Sequence, residues 1–382
     1  MPPEQARCPV CAGDELAPVL EVAGVPVFCN VLWETRDEAL AAARGDIALV
    51  FCEACGTIHN SAFDPALVRY SPAYENSLHF SGVFREFEAD LTRRLIAEHG
   101  LSGRLVVDIG CGDGHFLRRL CGGAGNRGIG FDPSYAGPPN GEAGVSFVRE
   151  YWSEAHAEIA PDFISCRHVL EHLGDPRALL QTLAGSTATL YFEVPDGEYM
   201  LREAACWDVI YEHVSYFTAP ALRRLFGDFG FAALATGSSF GGQYLYIEAA
   251  RDRGGELSGG SGAGLTPLVE RFSRSYAETV AGWTERLAEL RSAGRRVAVW
   301  GAGSKGVTFL NAVGGGGEVD LVIDVSERKH GRFAPGTGQQ VRAPEAVREE
   351  RPDAVVAMNP LYVEEIRRHL AELDVEAEVV PA

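Results

Sequence analysis

The amino-acid sequence predicts an α/β protein in which a small cysteine-bearing domain precedes two Rossmann-like units. Three observations predict it. Short apolar runs alternate with helical patterns between 103 and 250, the alternation that builds a parallel sheet covered by helices on both faces. Gly-rich turns follow apolar strands at two separate places, Gly110 and Gly301. Two Cys-x-x-Cys pairs, Cys8/Cys11 and Cys52/Cys55, stand ahead of the first unit.

The chain has 382 residues, more than one ordinary core organises, so two or three domains are expected. With 46% hydrophobic and 23% charged residues it reads as globular rather than disordered. A formal net charge of −19 disfavours a nucleic-acid backbone or an anionic membrane surface as partner. No apolar run approaches the ~20 residues of a membrane span. Met1-Pro2-Pro3-Glu4 shows no basic region leading into an apolar one. A cytoplasmic location is the expectation, and the nine cysteines are then read as thiols or metal ligands rather than disulfides.

Element by element, residues 1–65 form the cysteine-bearing domain, on short turn-rich segments. Residues 66–252 form the first Rossmann-like unit. Phe80, Phe84, Phe87, Leu91 and Leu95 recur at spacings of three and four, so 61–99 is expected to be mostly helical. Strands are expected at Arg104–Ile109, Arg127–Phe131, Asp162–Ser165, Thr187–Val194 and Gln243–Ala249. The Gly/Ser-rich stretch 252–266 reads as a linker. A helix over Pro267–Ala293 opens the second unit, 267–382, with strands at Arg296–Trp300, Asp320–Ile323 and Ala354–Ala357.

The first Gly-rich turn carries the clearest chemistry. An apolar strand ends at Asp108. Gly110 and Gly112 allow a sharp turn and close approach to a ligand, with Cys111 between them. A helix opens near His115, so its first amides face that ligand. Asp132 ends the next strand, where an acid accepts hydrogen bonds from a ribose diol. The run Asp108-Ile109-Gly110-Cys111-Gly112-Asp113-Gly114 resembles the first motif of class I methyltransferases. That resemblance implies S-adenosyl-L-methionine, with Asp108 toward its positively charged end. A dinucleotide is the rival, but Asp113 inside the loop would repel a pyrophosphate. Arg167 and His168, after the Asp162–Ser165 strand, resemble the segment that flanks the same cofactor. Glu171-His172 beyond them reads as packing and capping.

The four thiols Cys8, Cys11, Cys52 and Cys55 read as a closed tetrahedral zinc site. Two residues between thiolates suit a turn that aims both sulfurs at one ion, and two such turns leave no open position, so the zinc is structural. Trp207 to Phe217 follows the Leu190–Val194 strand, where doubly wound folds place their sites. His213 titrates near working pH and can remove a proton. Glu212 or a backbone carbonyl can fix its tautomer. Tyr211 or Tyr216 can hydrogen-bond an oxyanion. Tyr70 and Tyr74 precede the helical segment, where they lid the site or pack as turn residues. Gly301-Ala302-Gly303-Ser304-Lys305-Gly306 follows a strand and opens a helix. Its amides and Lys305 suit a phosphate. Asp324 ends the next strand at a ribose-binding position, and Asn359 and Tyr362 lie at another strand end facing the same cleft.

Taken together, Cys8/Cys11/Cys52/Cys55, Asp108–Gly114, Glu212-His213-Val214-Ser215-Tyr216-Phe217, Gly301–Gly306 and Pro335-Gly336-Thr337 resemble the nucleotide-deoxysugar C-methyltransferase family along nearly the whole chain. The resemblance implies a small-molecule acceptor, a nucleotide-linked keto-sugar. It also implies that His213 is the base that forms an enolate, that Tyr74 lines the sugar site, and that the C-terminal unit helps hold the nucleotide. One position departs: where the best-known members read Tyr-His-Glu-His, this chain has Ile210, and Tyr211 is two before His213. That departure leaves room for an O-methyltransferase acting on a hydroxyl. A non-catalytic metabolite-binding protein is the third reading, opposed by the company of His213, Tyr216 and Tyr74.

Overall fold

The computed structural model describes residues 7–68, 77–141, 144–251, 260–314 and 317–382. The chain begins with strands β1 (Leu16–Pro26), β2 (Arg44–Cys52) and β3 (Ile58–Asn60), with helix α1 (Arg36–Leu40) between the first two. Both cysteine turns flank this sheet, at the start of β1 and at the end of β2.

The expected helix over 61–99 is shorter. Pro65 opens only a single turn, Pro65–Leu67, that ends extended at Val68. Helix α2 (Gly82–Glu98) starts where the Ser81 hydroxyl caps the amide of Phe84. Phe84, Leu91 and Leu95 on its inner face are buried.

The central sheet follows: β4 (Leu105–Ile109), α3 (His115–Cys121), β5 (Arg127–Phe131), β6 (Val145–Val148), β7 (Phe163–Arg167), α4 (Pro176–Leu183), β8 (Thr189–Pro195), α5 (Gly197–Arg202), β9 (Ser215–Tyr216), α6 (Ala219–Asp228), β10 (Ala232–Ser239) and β11 (Tyr244–Ala250). Seven of these strands order as β10-β11-β8-β7-β4-β5-β6. The sheet is not all parallel, as the alternation of strands and helices suggested. β11 runs antiparallel to both β8 and β10, because β10 and β11 are joined by a tight hairpin rather than a helix. β4 lies mid-sheet and is buried on both faces, so its residues are apolar until Asp108.

β9 belongs elsewhere. Its two residues pair with β3, Ile58 opposite Tyr216 and His59 opposite Ser215, completing a four-stranded sheet β1-β2-β3-β9. The cysteine-bearing sheet thus takes its edge strand from the segment that carries His213.

Helix α7 (Thr266–Ser292) leads into β12 (Val297–Trp300), α8 (Ser304–Ala312), β13 (Leu321–Ile323), β14 (Val341–Arg342), α9 (Val347–Glu350), β15 (Ala354–Ala357), α10 (Val363–Glu372) and β16 (Glu378–Pro381). These five strands are all parallel, in the order β14-β13-β12-β15-β16. The strand order reverses between β12 and β15, and open α/β sheets bind ligands at such a switch point. The expected linker lies mostly at 252–259, outside the described residues. No helix among the described residues is long and apolar enough to cross a membrane.

Candidate active site

The loop after β4 is shaped by three glycines in left-handed conformation: Gly110 at φ 71°, Gly112 at 50° and Gly114 at 75°. A Cβ on Gly110 would collide with Val169, so this loop packs against the segment after β7. Cys111 is buried, with its sulfur against Gly130. Asp132 accepts the Gly112 amide at 2.9 Å through one oxygen and the Ser134 amide and hydroxyl through the other. Asp108 is 3% exposed. Burial pushes its carboxyl up to about 7, against a 2.6 Å hydrogen bond from Ser165 and the charge of Arg167. A buried acid under a glycine loop and a helix N-terminus whose N-cap makes no side-chain bond fits the cationic end of S-adenosylmethionine.

Beyond β7, the Arg167 guanidinium is buried between Glu193 at 2.8 Å and Glu88 at 3.2 Å and lies over the Phe116 ring. It braces the site from below rather than reaching a ligand. Glu193 also accepts from Tyr191 and Ser239. Sequence reasoning missed Glu193, although an acid inside the run Tyr191-Phe192-Glu193-Val194 was a signal. His168 has φ 55°, uncommon for a residue with a side chain. Burial alone would lower its pKa, but Glu171 and Glu193, each 3.5 Å away, hold it above the usual value. Glu171 and His172 do not cap a helix. They sit in a single turn, Leu170–His172, and both line a cleft.

That cleft, of about 280 Å³, lies between the central sheet and the C-terminal unit. His168, Glu171, His172 and His213 face it from one side; Lys305, Asp324, Asn359 and Tyr362 face it from the other. His213 is held neutral: burial first, then the charges of His172, His168 and Lys305, push its pKa well below the usual value. Glu212 does not set the His213 tautomer. Its carboxylate, buried behind the cleft, accepts the Cys29 amide at 3.3 Å, and its carbonyl faces His172 Nδ1 at 3.0 Å.

The two tyrosines beside His213 turn away from the cleft. The Tyr211 hydroxyl bonds the amide of Asp64 at 2.8 Å, and its ring fills the space above Gly45. The Tyr216 hydroxyl bonds the amide and carbonyl of Ile210. Strand pairing at β9 fixes Tyr216 and the bond to Asp64 fixes Tyr211, and these orientations correct the expectation that either meets an oxyanion. Ile210 is buried there too, so its place is in the core and not the cleft. Among the described residues the cleft tyrosines are instead Tyr362 and Tyr244, the second not foreseen. Tyr70 and Tyr74 lie outside the described residues.

The C-terminal turn has the expected geometry with altered electrostatics. A Cβ on Gly306 would run into the Gly301 carbonyl, so helix α8 sits directly on the turn. Lys305 is paired with Asp208 at 2.5 Å. Asp324 accepts the amides of Ala302 and Ser326 and the ammonium of Lys329, so it secures the turn rather than meeting a ribose. Asn359 exchanges two 2.9 Å hydrogen bonds with Gln243 and is spent as a latch between the units. The Pro335-Gly336-Thr337 loop contacts Arg44 and Ala39, away from the cleft.

The four thiols of Cys8, Cys11, Cys52 and Cys55 converge within 4.8 Å, with Sγ–Sγ distances of 3.5 Å (Cys8–Cys55) and 3.6 Å (Cys11–Cys52). Tetrahedral zinc with Zn–S bonds of about 2.3 Å requires sulfurs roughly 3.8 Å apart. The donor set fits that ion.

A family model described as a methyltransferase domain matches residues 80–236, and one described as a C-methyltransferase C-terminal domain matches 263–378. The tRNA U34 carboxymethyltransferase of Alteromonas mediterranea is 30% identical over 134 residues, 31% of this chain and 40% of that protein. Its counterpart from Azotobacter vinelandii is 33% identical over 86 residues, 21% of this chain and 27% of that protein. The chain therefore spans less than half the length of the curated relatives it matches. Among solved structures, the magnesium protoporphyrin IX methyltransferase from Synechocystis PCC 6803 with bound SAH shares 20% identity at TM-score 0.35, covering 44% of this chain and 84% of that one. The sheet with β4 central and β11 reversed is built largely within the segment 80–236 that matches the methyltransferase domain. The chain thus carries a segment that matches a methyltransferase domain and a C-terminal unit that matches a C-methyltransferase C-terminal domain.

Proposed function

We propose that the enzyme methylates carbon next to a ketone, on a nucleotide-linked keto-deoxysugar, with His213 as the base. The observation that carries this reading is the shared cleft: His213 faces the Gly301–Gly306 turn across it. An ordinary sugar C–H is far too weak an acid for an imidazole of pKa ~6.5, so the ketone is chemically required. S-adenosylmethionine supplies the electrophilic methyl group. Asp108 holds its cationic end, and Asp132 meets the ribose. His213, neutral in its buried position, has the lone pair that accepts the α-proton. Because Lys305 and Lys329 are already paired with acids, the phosphates are met by the open amides at the start of α8, whose N-cap Gly303 makes no side-chain bond. The match of 263–378 to a C-methyltransferase domain supports carbon as the acceptor. A net charge of −19 speaks against the tRNA substrate that names the curated relatives. Zinc at the four cysteines serves structure only.

The test is incubation in D2O with an NDP-4-keto-6-deoxysugar and the cofactor. The expected product shows a C-methyl signal by NMR, and the α-position exchanges with solvent. His213→Asn is expected to reduce that exchange by roughly 10²–10⁴, the range of a lost general base. Undiminished exchange in that variant removes the base assignment, and a methoxy product makes the enzyme an O-methyltransferase.

A further inference from the structure

Beyond its long ion pair with His168, Glu171 has no task in the proposed reaction. It is 1% exposed, lines the cleft, and neither carboxylate oxygen accepts a hydrogen bond. Its charged neighbour is His168, whose Nδ1 stands 3.5 Å away, a long ion pair rather than a close hydrogen bond. A buried carboxylate met only by one long ion pair is costly, and a closer cation or donor would satisfy it.

Two histidines stand beside it. Glu171, His172 and His213 each bring one ligand atom within 4.8 Å of the others. The rings of His172 and His213 lie 5.0 Å apart at 70°. Two imidazoles bound to one ion at about 2.0–2.1 Å, with a tetrahedral angle between them, place their ring centres roughly 5 Å apart. The carbonyl of Glu212 facing His172 Nδ1 can only accept, so Nδ1 carries the proton, the tautomer in which Nε2 is the ligating nitrogen. Backbone orientation of this kind is what metal-binding histidines receive. His213 Nδ1 is buried without a hydrogen-bond partner. The other compact cluster, Glu98, His99 and Glu248, is already bridged by Arg94.

We propose that Glu171, His172 and His213 bind a borderline divalent transition ion of the zinc class, at a site distinct from the four cysteines, and that its occupancy blocks turnover by taking the lone pair of His213. Two imidazoles and one carboxylate suit such ions better than magnesium or calcium. Closing on the ion draws each ligand in by about an ångström from the present spread. The cations that oppose it are His168, beside Glu171, and Lys305, whose charge is held by Asp208. The blocking role rests on His213 being the base; the binding does not.

The test titrates Co(II) into the full-length zinc-loaded enzyme. The expected result is one cobalt per chain with the visible d–d bands of nitrogen and oxygen ligation, and without the near-ultraviolet thiolate charge-transfer band of the cysteine site. E171Q and H172N are each expected to weaken binding at least tenfold, since losing even an outer-shell partner costs about that much, while both retain zinc and bind cofactor as evidence of folding. No such band, or an unchanged affinity in both variants, overturns the site. Cobalt at saturation is expected to stop α-proton exchange. If cobalt binds and exchange continues, the base assignment fails and the metal site stands; if His213→Asn abolishes exchange but cobalt never binds, the reverse holds.

Discussion

Asp108 ends a strand of otherwise apolar residues, is almost inaccessible, and has its carboxyl raised from 3.8 to about 7 by burial. Because the folded value lies above the unfolded one, folding favours the protonated acid. The contribution is therefore fully present below about pH 4 and is lost as pH rises through 7, on the order of 4 kcal/mol in all. The proposed role of Asp108 toward the cofactor's cationic end needs the opposite state, since a carboxylate attracts the permanent sulfonium charge. Two outcomes are expected. Calorimetry of the cofactor-free enzyme should show Asp108→Asn raising Tm at pH 8. Titration should show wild-type cofactor affinity climbing between pH 6 and pH 8, with that climb absent from the variant. A pH-independent wild-type affinity would count against Asp108 as the cation's partner. The position of this residue was legible in the sequence, because an acid at the end of an apolar strand before a glycine turn is a local pattern. The orientations of Tyr211 and Tyr216 were not, because a short irregular segment has no periodicity to say which side faces the ligand.

At the scale of elements, the two strand–turn–helix units use the same device. The acid ending the second strand turns back to accept an amide of the glycine turn: Asp132 from Gly112, and Asp324 from Ala302. They differ in neutralisation, because Lys329 closes on Asp324 while Asp132 meets the neutral donors of Gly112 and Ser134. The spacing of glycines and acids made both turns visible in the sequence. The lysine that decides which acid remains open to a ligand was not, since it comes from a separate turn, Glu327–Lys329. The strand order around β11 was hidden for a related reason: hairpin and crossover strands have the same apolar composition. Gly306→Ala tests the C-terminal unit alone. Its Cβ would push α8 off the Gly301 carbonyl, at a cost of about 1–3 kcal/mol for an overpacked contact. The expected kinetic result is a raised KM for the nucleotide-linked acceptor with cofactor affinity unchanged. Loss of cofactor binding in parallel would mean that the second turn does not act separately from the first.

At the scale of the whole molecule, three units meet at His213, and the cysteine cluster governs its position from a distance. The Cys52–Cys55 turn leads directly into β3, and β3 pairs with β9 two residues after His213. Asn60 takes the carbonyl of Val214 at 2.9 Å, and the Thr218 hydroxyl bonds the Gly56 carbonyl at 3.1 Å. The sheet that the four thiols close is therefore the frame on which the segment 210–218 hangs. The cofactor strands β4, β5 and β7 pair only with one another and with β6 and β8, and meet the cysteine turns through side-chain packing, with Val107, Ile109 and Phe131 in one core with Cys8, Cys52 and Cys55. Removing the zinc proposed for the four cysteines, by a strong chelator or by Cys52→Ser, is expected to loosen β3 and β9 together, because closed zinc sites contribute folding energy directly. Hydrogen exchange should then rise across 47–60 and 210–218 while 104–132 keeps its protection. Solvent exchange of the acceptor's α-proton should fall with it, and cofactor affinity should stay within a few-fold of the loaded enzyme. Should cofactor affinity collapse with the metal, the cysteine sheet supports the central sheet as a whole, and His213 has no separate frame.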